Sequence, residues 1–194
     1  MVEKWKYFFL FCALFVAFEA QTQRVYSPNS VLAVGSWYKI NISKSGIYRI
    51  DVPFLSNLGI NTSNLSAASV RLFGNSRGML SEANAGFWTD DLTELAIQVV
   101  DGGDGIINGS DYLIFYADGA DKWEKDSINQ SFTHKKNIYT DKTSYFLSVG
   151  GTGKRITDAS LISIPGSVVT SFSERIFHES DSVNFLNSGK EWYG

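Results

Sequence analysis

Residues 90–126 read DDLTELAIQVVDGGDGIINGSDYLIFYADGADKWEKD, and this stretch decides the fold. Two apolar runs rich in β-forming residues, Ala96–Val100 and Tyr112–Ala117, flank a loop of glycine, aspartate and asparagine. An aromatic and acidic segment, Asp118–Asp126, follows the second run. Because glycine and asparagine adopt the positive φ angles of tight turns, the pattern predicts an antiparallel β-hairpin with a long loop.

Short runs of alternating polarity continue on both sides of this hairpin. Tyr38–Ile42 alternates apolar and polar residues, and after the turn Ser43–Gly46 the alternation resumes in Ile47–Ile50. Two alternating runs joined by a four-residue turn that contains glycine predict a second hairpin. Further strands are predicted at Ser69–Gly74, Lys135–Tyr139, Ser144–Val149 and Ser167–Phe177.

One short helix is predicted between residues 51 and 59. Asp51 can cap its first turn, and Pro53 suits that turn because proline lacks the backbone N–H that would be unpaired there. Gly59 is typical of the position that ends a helix. The predicted buried stripe of this helix consists of Phe54, Leu55 and Leu58.

The composition favours an all-β fold. Aromatic residues make up 14% of the chain, there are three prolines, and no long amphipathic helical pattern occurs. We therefore predict an antiparallel β-sandwich, jelly-roll-like, with one or two short helices. The predicted domains are a signal peptide at 1–20, a β-rich N-terminal domain at 21–172 and the start of a further segment at 173–194.

The first 20 residues predict a cleaved secretory signal peptide. Lys4 and Lys6 precede the apolar run Tyr7–Phe18, and Ala20 suits a cleavage site. The run is too short to span a bilayer, since that takes about 20 residues. Cys12, the only cysteine, lies in this segment. We therefore expect an exported mature chain without a disulfide or a cysteine nucleophile.

The charge and the C-terminal residues give two further expectations. The net charge is −3 and no basic stripe occurs, so we predict no nucleic-acid partner. The sequence stops at Lys190–Gly194, which contains Trp192 and Tyr193. Because natural termini are usually polar and frayed, we expect a truncated chain.

The loop Asp101–Asp111 is the sharpest candidate for a metal site. Ca²⁺ takes several oxygen ligands on a flexible loop, and the loop offers them at Asp101, Asp104, Asn108 and Asp111. The spacing does not fit an EF-hand, because aligning Gly105 with the obligatory glycine puts Val100 and Gly102 at acidic positions. The favoured interpretation is a hairpin loop in which the aspartates cap local N–H groups.

The other candidate motifs have simpler structural interpretations. Gly150–Arg155 lacks the G-x-x-x-x-G-K-[ST] spacing of a phosphate loop and predicts a turn. His134 and His178 are the only histidines, and no Ser/His/Asp set can be assembled around them. A sugar-stacking surface could use the aromatic set Trp37, Trp88, Trp123, Trp192 and Tyr116, although burial between sheets is the commoner role. We predict no catalytic, cofactor-binding or metal-binding residue.

The order of these segments resembles the N-terminal region of the PorU-type sortases. This family consists of gingipain-like cysteine peptidases of the Bacteroidetes type IX secretion system. The resemblance is carried by SWYKINISKSGIYRIDVPFLSNLGI (Ser36–Ile60), SVRLFGNSRGML (Ser69–Leu80), residues 90–126, FTHKKNIYTDKTSYFLSV (Phe132–Val149) and SGKEWYG (Ser188–Gly194).

The resemblance implies an exported protein at the outer membrane or cell surface. There the sortase removes C-terminal sorting domains from exported cargo and attaches the cargo to the cell surface. It also implies that a Cys–His pair in a downstream peptidase domain does this work, with the thiolate attacking the scissile carbonyl. No catalytic residue carries over, because no cysteine follows Cys12 and both His134 and His178 match the accessory region. The implied partners are that peptidase domain, translocon components and the sorting domains of cargo.

The residues also leave a second hypothesis open. In that case the chain is a stand-alone secreted β-sandwich that binds carbohydrate through the aromatic set or Ca²⁺ through the loop Asp101–Asp111. Calcium binding to the native state would raise the melting temperature.

Overall fold

The computed structural model describes residues 26–75, 78–81, 83, 86–157, 170–178 and 183–187. The predicted signal peptide and Ser188–Gly194 lie outside these residues. The chain divides into two compact units, Met1–Ser30 and Val31–Gly194. In the first, the Ser27 hydroxyl donates a hydrogen bond to the Asn29 carbonyl at 2.8 Å. The sheets belong to the second unit, and the predicted boundary at residue 173 stays a prediction.

The described part of the second unit is built mainly from short strands. One α-helix, α1, spans Val52–Asn57, and 3₁₀ turns lie at Val31–Ala33 and Ala67–Ser69. In the described residues no helix has the length and apolar character needed to cross a bilayer. The strands are β1 Trp37–Ile42, β2 Gly46–Asp51, β3 Leu65–Ser66, β4 Val70–Gly74, β5 Thr93–Leu95, β6 Gln98–Val100, β7 Ile106–Ile107, β8 Tyr112–Ala117, β9 Lys122–Asp126, β10 Ser131–Lys135 and β11 Thr143–Val149.

The strands form two larger antiparallel sheets and two separate strand pairs. The large sheet has the strand order β1-β11-β4-β5, and the small sheet has the order β2-β8-β6. β3 pairs with β7, and β9 pairs with β10. This architecture confirms the predicted all-β, sandwich-like fold with few helices.

A single hydrophobic core joins residues of both sheets. Ile40 and Ile42 of β1 are buried, whereas Lys39 and Asn41 beside them are exposed, so alternation turns one side of the strand inward. The other buried strand residues of this core are Ile50, Leu65, Val70, Leu72, Ile107, Leu113, Phe115, Ala117, Tyr145 and Leu147. Because burying one such large apolar side chain contributes about 1.5–3 kcal/mol, this core is the main source of stability.

Tyr145 of β11 occupies the centre of this core. Its side chain is fully buried, and in the large sheet it lies opposite Ile40 on one side and Gly74 on the other. Its ring centroid is 6.1 Å from that of Phe115. The Tyr145 hydroxyl accepts a hydrogen bond from the Asp118 N–H at 2.7 Å and donates one to the Asp118 carbonyl at 3.1 Å. This side chain therefore ties β11 to the segment that leaves β8.

The helix α1 begins as predicted. The Asp51 carboxylate caps it by accepting a hydrogen bond from the Phe54 N–H at 2.9 Å, and Pro53 lies in the first turn. Gly59 follows the helix with φ of +88°. Leu55 is buried, but the prediction that Phe54 joins the buried stripe is wrong, since its side chain is 40% exposed. Neighbouring helix positions are about 100° apart, so turning Leu55 inward turns Phe54 away.

The central hairpin is confirmed, and the second predicted hairpin is wrong. β6 pairs with β8 in the register that places Val99 opposite Leu113. Tyr38–Ile42 and Ile47–Ile50 do form strands, but β1 pairs with β11 and β2 pairs with β8. The turn between them therefore crosses from one sheet to the other. Alternation determines which face of a strand is buried, and it does not determine which strand lies beside it.

Two of the remaining strand predictions hold and two do not. β4 and β11 confirm the strands predicted at Ser69–Gly74 and Ser144–Val149. The prediction for Lys135–Tyr139 is misplaced, because β10 ends at Lys135. Of the segment Ser167–Phe177, residues 170–177 form no strand and residues 167–169 lie outside the described ones. Alternation in residues 170–177 does not produce a strand, because a strand also needs a hydrogen-bonded neighbour.

Candidate functional site

The acidic loop Asp101–Asp111 has the geometry of a hairpin loop. Gly102, Gly103 and Gly105 all have positive φ angles. Each of the three aspartates accepts a hydrogen bond, at 2.8 to 3.0 Å, from a backbone N–H of the loop: Asp101 from Gly103, Asp104 from Ile106 and Asp111 from Asn108. Among the described residues, no three His, Cys, Asp or Glu side chains gather as they would around a metal ion. The carboxylates thus act as turn caps.

Saturating Ca²⁺ is therefore expected to leave the melting temperature unchanged. A ligand that binds only the native state at a hundred times its Kd would add about 2.7 kcal/mol of stability. Calorimetry in Ca²⁺ and in EDTA measures this difference. As a control, Asp104→Asn should lower the melting temperature equally in both buffers, because it weakens a turn cap. If Ca²⁺ raised the melting temperature of the wild type but not that of Asp104→Asn, the calcium hypothesis would be supported after all.

The glycine-rich segment Gly150–Arg155 is a turn that closes against the chain before β4. The N–H groups of Gly150 and Gly153 donate hydrogen bonds to the carbonyls of Ser69 and Ala68, both at 2.9 Å. A phosphate loop needs such N–H groups free and directed at the anion. The turn interpretation fits these contacts, and the phosphate-loop interpretation does not.

Glu94 of β5 fastens this turn to the large sheet. Its carboxylate accepts a hydrogen bond from the Lys154 N–H at 2.8 Å and pairs with the Arg71 guanidinium at 2.7 Å. The hydrogen bond from Arg71 lowers the pKa of the Glu94 carboxyl, although burial partly opposes this. A carboxyl with a lowered folded-state pKa stabilises the fold above its unfolded-state pKa, and this contribution is lost as the pH falls through the folded-state pKa.

Replacing Glu94 by glutamine should destabilise the protein at neutral pH but not in acid. Glutamine has the shape of a protonated glutamate, so the difference in free energy of unfolding should shrink as the pH falls below the unfolded-state pKa and vanish once the pH lies below the lowered folded-state pKa of Glu94. Urea denaturation across this pH range measures it. The exposed pair of Glu124 and Lys135 provides the control, because Glu124→Gln should change little at any pH. A cost for Glu94→Gln that persists in acid would show that shape, not charge, holds the turn.

The two histidines lie in different surroundings. His134 lies in β10, whereas His178 is exposed in the segment 170–178. The Nε2 of His134 is 3.8 Å from the Asp121 carboxylate, and its buried Nδ1 has no hydrogen-bond partner. Its ring stacks on Phe177 at 3.8 Å and meets Trp123 edge-on at 5.0 Å. These contacts are those of a packed side chain, not of a base beside a nucleophile.

The aromatic residues considered for a sugar platform lie on separate elements. Trp192 falls outside the described residues. The other four are placed as follows: Trp37 packs edge-on against Phe73 in the large sheet, Tyr116 is exposed on the small sheet, Trp123 lies in β9, and Trp88 lies in the loop before β5. No shared stacking surface follows from this arrangement.

The hairpin of β9 and β10 is the most distinctive surface element of the described chain. It belongs to neither sheet, and an isolated two-stranded hairpin is at best marginally stable in water. Directly paired residues share a face, so Trp123 and His134 lie on one face. Lys122, paired with Lys135, lies on the other. The hairpin therefore has an aromatic face and a charged face.

The aromatic face is contacted by two residues of the segment 170–178, which we call the strap. Arg175 places its guanidinium 4.0 Å from the centre of the Phe132 ring, and Phe177 stacks on His134 with an interplanar angle of 19°. Phe177 also meets Trp123 edge-on at 6.5 Å. Cation–π and aromatic pairs of this kind contribute about 0.5–1.5 kcal/mol each. The strap thus supplies the packing that the hairpin lacks by itself.

The charged face borders a cleft of about 810 Å³, shared with residues 78–81 and 87–89. Gly78, with φ of +73°, approaches the stem of Lys122 so closely that a Cβ would lie 3.0 Å from it. The lining of the cleft includes three apolar side chains, Leu80, Phe87 and Trp88, and three charged ones, Lys122, Glu124 and Lys135. Apolar groups facing an ion pair suit contact with a polypeptide.

Sequence reasoning missed both the strap and the cleft. The alternation in Ser167–Phe177 is the only local signal for the strap, and it predicts a strand. The contact between Phe177 and His134 joins residues far apart along the chain, and no local pattern encodes such a pair. Leu80 and Phe87 lie in a segment whose glycine and polar content indicates only a loop.

A solved structure resembles this arrangement of sheets. The crystal structure of dimeric latent PorU from Porphyromonas gingivalis is similar to this chain with a TM-score of 0.51 and 27% sequence identity. The similarity covers 70% of this chain and 11% of that PorU chain, so this chain spans a small part of PorU. No protein-family model and no curated protein matches the sequence. The likeness supports a PorU-like fold.

Proposed function

We propose that this chain is the N-terminal, non-catalytic part of a type IX secretion system sortase. The full protein would remove C-terminal sorting domains from exported cargo and attach the cargo to the cell surface. The observation that carries this proposal is the likeness to PorU, at 27% identity over 70% of the chain. The motifs between Ser36 and Val149 that resemble this family lie on the strands, helix and turns of the fold.

The geometry of the described residues suits a supporting role better than a catalytic one. His134 is packed among aromatic rings, the carboxylates of the loop Asp101–Asp111 cap turns, and no cysteine follows Cys12. In the proposal, the catalytic Cys and His belong to a gingipain-like peptidase domain of the same protein. The further partners are translocon components and cargo sorting domains. The proposed location is the outer membrane or cell surface, reached with the signal peptide at 1–20.

The reading frame beyond codon 194 provides the first test. A gingipain-like domain with its Cys and His is the expected result, and a stop codon followed by an unrelated gene would overturn the proposal. In cells, deleting residues 31–178 from the full-length protein should leave the sorting domain of the cargo uncleaved. Replacing the catalytic cysteine of the peptidase domain should have the same effect. Normal cargo processing by the deletion variant would contradict a supporting role for this module.

The stand-alone sandwich that binds carbohydrate or Ca²⁺ finds less support. The four described aromatic residues lie on separate elements, and the aspartates of the acidic loop are engaged with backbone N–H groups. Retention of the protein on a glycan array, or the calcium-dependent melting described above, would favour it.

A further inference from the structure

The strap has two unlike sides. Arg175 and Phe177 contact the hairpin, at Phe132 and His134 respectively. Phe172 and Ile176 lie at positions of the strap that alternate with Arg175 and Phe177. Their bulky apolar side chains are 87% and 85% exposed. The inner side is therefore anchored, and the outer side presents a phenylalanine and an isoleucine to the surroundings.

Leaving these two side chains in water is costly. Burying one Phe or Ile contributes about 1.5–3 kcal/mol, so a surface that covers both would gain several times the thermal energy. Exposed large apolar groups that lie together mark contact sites in soluble proteins. Phe185 and Leu186, in the next described segment along the chain, are also largely exposed. Exposed apolar side chains thus recur in both of the described segments that follow residue 169.

We propose that the outer side of the strap, through Phe172 and Ile176, is the docking surface for the peptidase domain of the same polypeptide. This inference rests on the proposed function. The PorU chain of similar fold is far longer than the matched part, which is 11% of it, so a module of this kind has a large neighbour in the same chain. Interfaces between domains of one chain are small, and tethering supplies an effective concentration in the millimolar range. Two apolar anchors on an already fixed strap can therefore hold such a neighbour.

The charges around the strap favour a protein surface over a membrane. Binding to an anionic bilayer takes a cluster of basic residues, each worth about 1 kcal/mol. Among strap residues, Arg175 is the one basic side chain, it lies over Phe132, and Glu174 precedes it. By the same alternation Glu174 lies on the outer side between Phe172 and Ile176, so this side combines two apolar groups with a carboxylate and has no basic cluster. Such a side suits the surface of a neighbouring domain better than an anionic bilayer.

The test uses the full-length protein and hydroxyl-radical footprinting of its side chains. In the proposed arrangement, labelling of Phe172 and Ile176, corrected for intrinsic reactivity, should be about fivefold or more below that of Ile128, because covered side chains react only through local opening. Ile128, in the β9–β10 turn, is 93% exposed and serves as the internal reference. The variant Phe172→Ser with Ile176→Ser should make trypsin cleavage after Arg175 roughly tenfold faster, whereas Ile128→Ser should not.

Several outcomes would overturn the inference. Labelling of Phe172 as strong as that of Ile128 would show an uncovered strap. Protection that disappears on dilution would assign the surface to a second copy, and protection that requires anionic vesicles would assign it to a membrane. If the full-length protein has the peptidase domain but the strap is uncovered, the docking inference is wrong and the proposed function still stands. A reading frame without a peptidase domain defeats the proposed function and this inference together.

Discussion

Replacing Tyr145 by alanine is expected to lower the free energy of unfolding by about 3–5 kcal/mol, the range for deleting a buried aromatic side chain. Tyr145 is fully buried between Ile40 and Gly74 in the large sheet and faces Phe115 of the small sheet. Its removal leaves a cavity between the sheets that their paired strands cannot close. Urea denaturation followed by tryptophan fluorescence measures the effect.

Tyr145→Phe separates the packing of the ring from its hydrogen bonds. This variant keeps the ring but leaves the half-buried N–H and C=O groups of Asp118 without the hydroxyl that they bind. We expect it to cost about 1–3 kcal/mol, the penalty for unsatisfied buried polar groups. Tyr139→Ala is the matched control, because Tyr139 is exposed and its loss should stay within about 0.5 kcal/mol. Equal costs for Tyr145→Ala and Tyr139→Ala would show that the core is not centred on Tyr145.

The same variants bear on the candidate functional site. Asp118 begins the link from β8 to the β9–β10 hairpin, and the Tyr145 hydroxyl holds both polar groups of its backbone. Loss of that hydroxyl should therefore loosen the start of the hairpin more than the two sheets. Hydrogen exchange at residues 118–126 should rise in Tyr145→Phe before exchange rises in β4, because local opening precedes global unfolding.

Gly74→Ala is expected to destabilise the protein by about 3 kcal/mol, at the upper end of overpacking costs. A Cβ on Gly74 would lie 2.5 Å and 2.8 Å from the Cδ1 and Cε1 atoms of Tyr145. Core side chains surround the Tyr145 ring, and its hydroxyl is hydrogen-bonded to Asp118. The ring therefore cannot move away from an added Cβ. β4 would instead have to move away from β11.

A double-mutant cycle makes this prediction specific. In the background of Tyr145→Ala, the new methyl group enters the cavity, so Gly74→Ala should cost about 2 kcal/mol less than in the wild type. Gly46→Ala is the matched control, since Gly46 has neither a positive φ nor any atom within 4 Å of its Cβ position. It should stabilise the fold by up to about 1 kcal/mol through the unfolded chain. Additive costs in the cycle would mean that the Tyr145 ring is not the obstacle.

Local sequence patterns determine much of this fold. The alternation in Tyr38–Ile42 identifies both the strand and its buried side, because side chains of a strand point to opposite faces in turn. Asp51 and Gly59 mark the two ends of α1. The glycines of the loop Asp101–Asp111 mark a turn because their φ angles are positive. Each of these features depends on neighbours within a few residues, so the sequence encodes them directly.

Features that depend on contacts between distant residues cannot be inferred from local sequence patterns. β1 and β2 are adjacent in the chain and belong to different sheets, because each pairs with a strand more than sixty positions away, β11 and β8. β10 is a strand through its pairing with β9, although its own sequence, Ser131–Lys135, is polar and mixed. The energy of such pairing comes from the summed contacts of two strands, and neither strand carries it alone.

By itself the sequence determined the all-β class, the strands β1, β2, β4, β6, β8 and β11, the capped helix and the turn chemistry of the acidic loop. The tertiary structure alone decided the neighbour of each strand, the covering of His134 by Phe177 and the exposure of Phe172 and Ile176. The physical reason is the distance along the chain over which each interaction acts. Backbone propensity, capping and alternation act between residues a few positions apart, whereas packing acts between whichever surfaces the folded chain brings together.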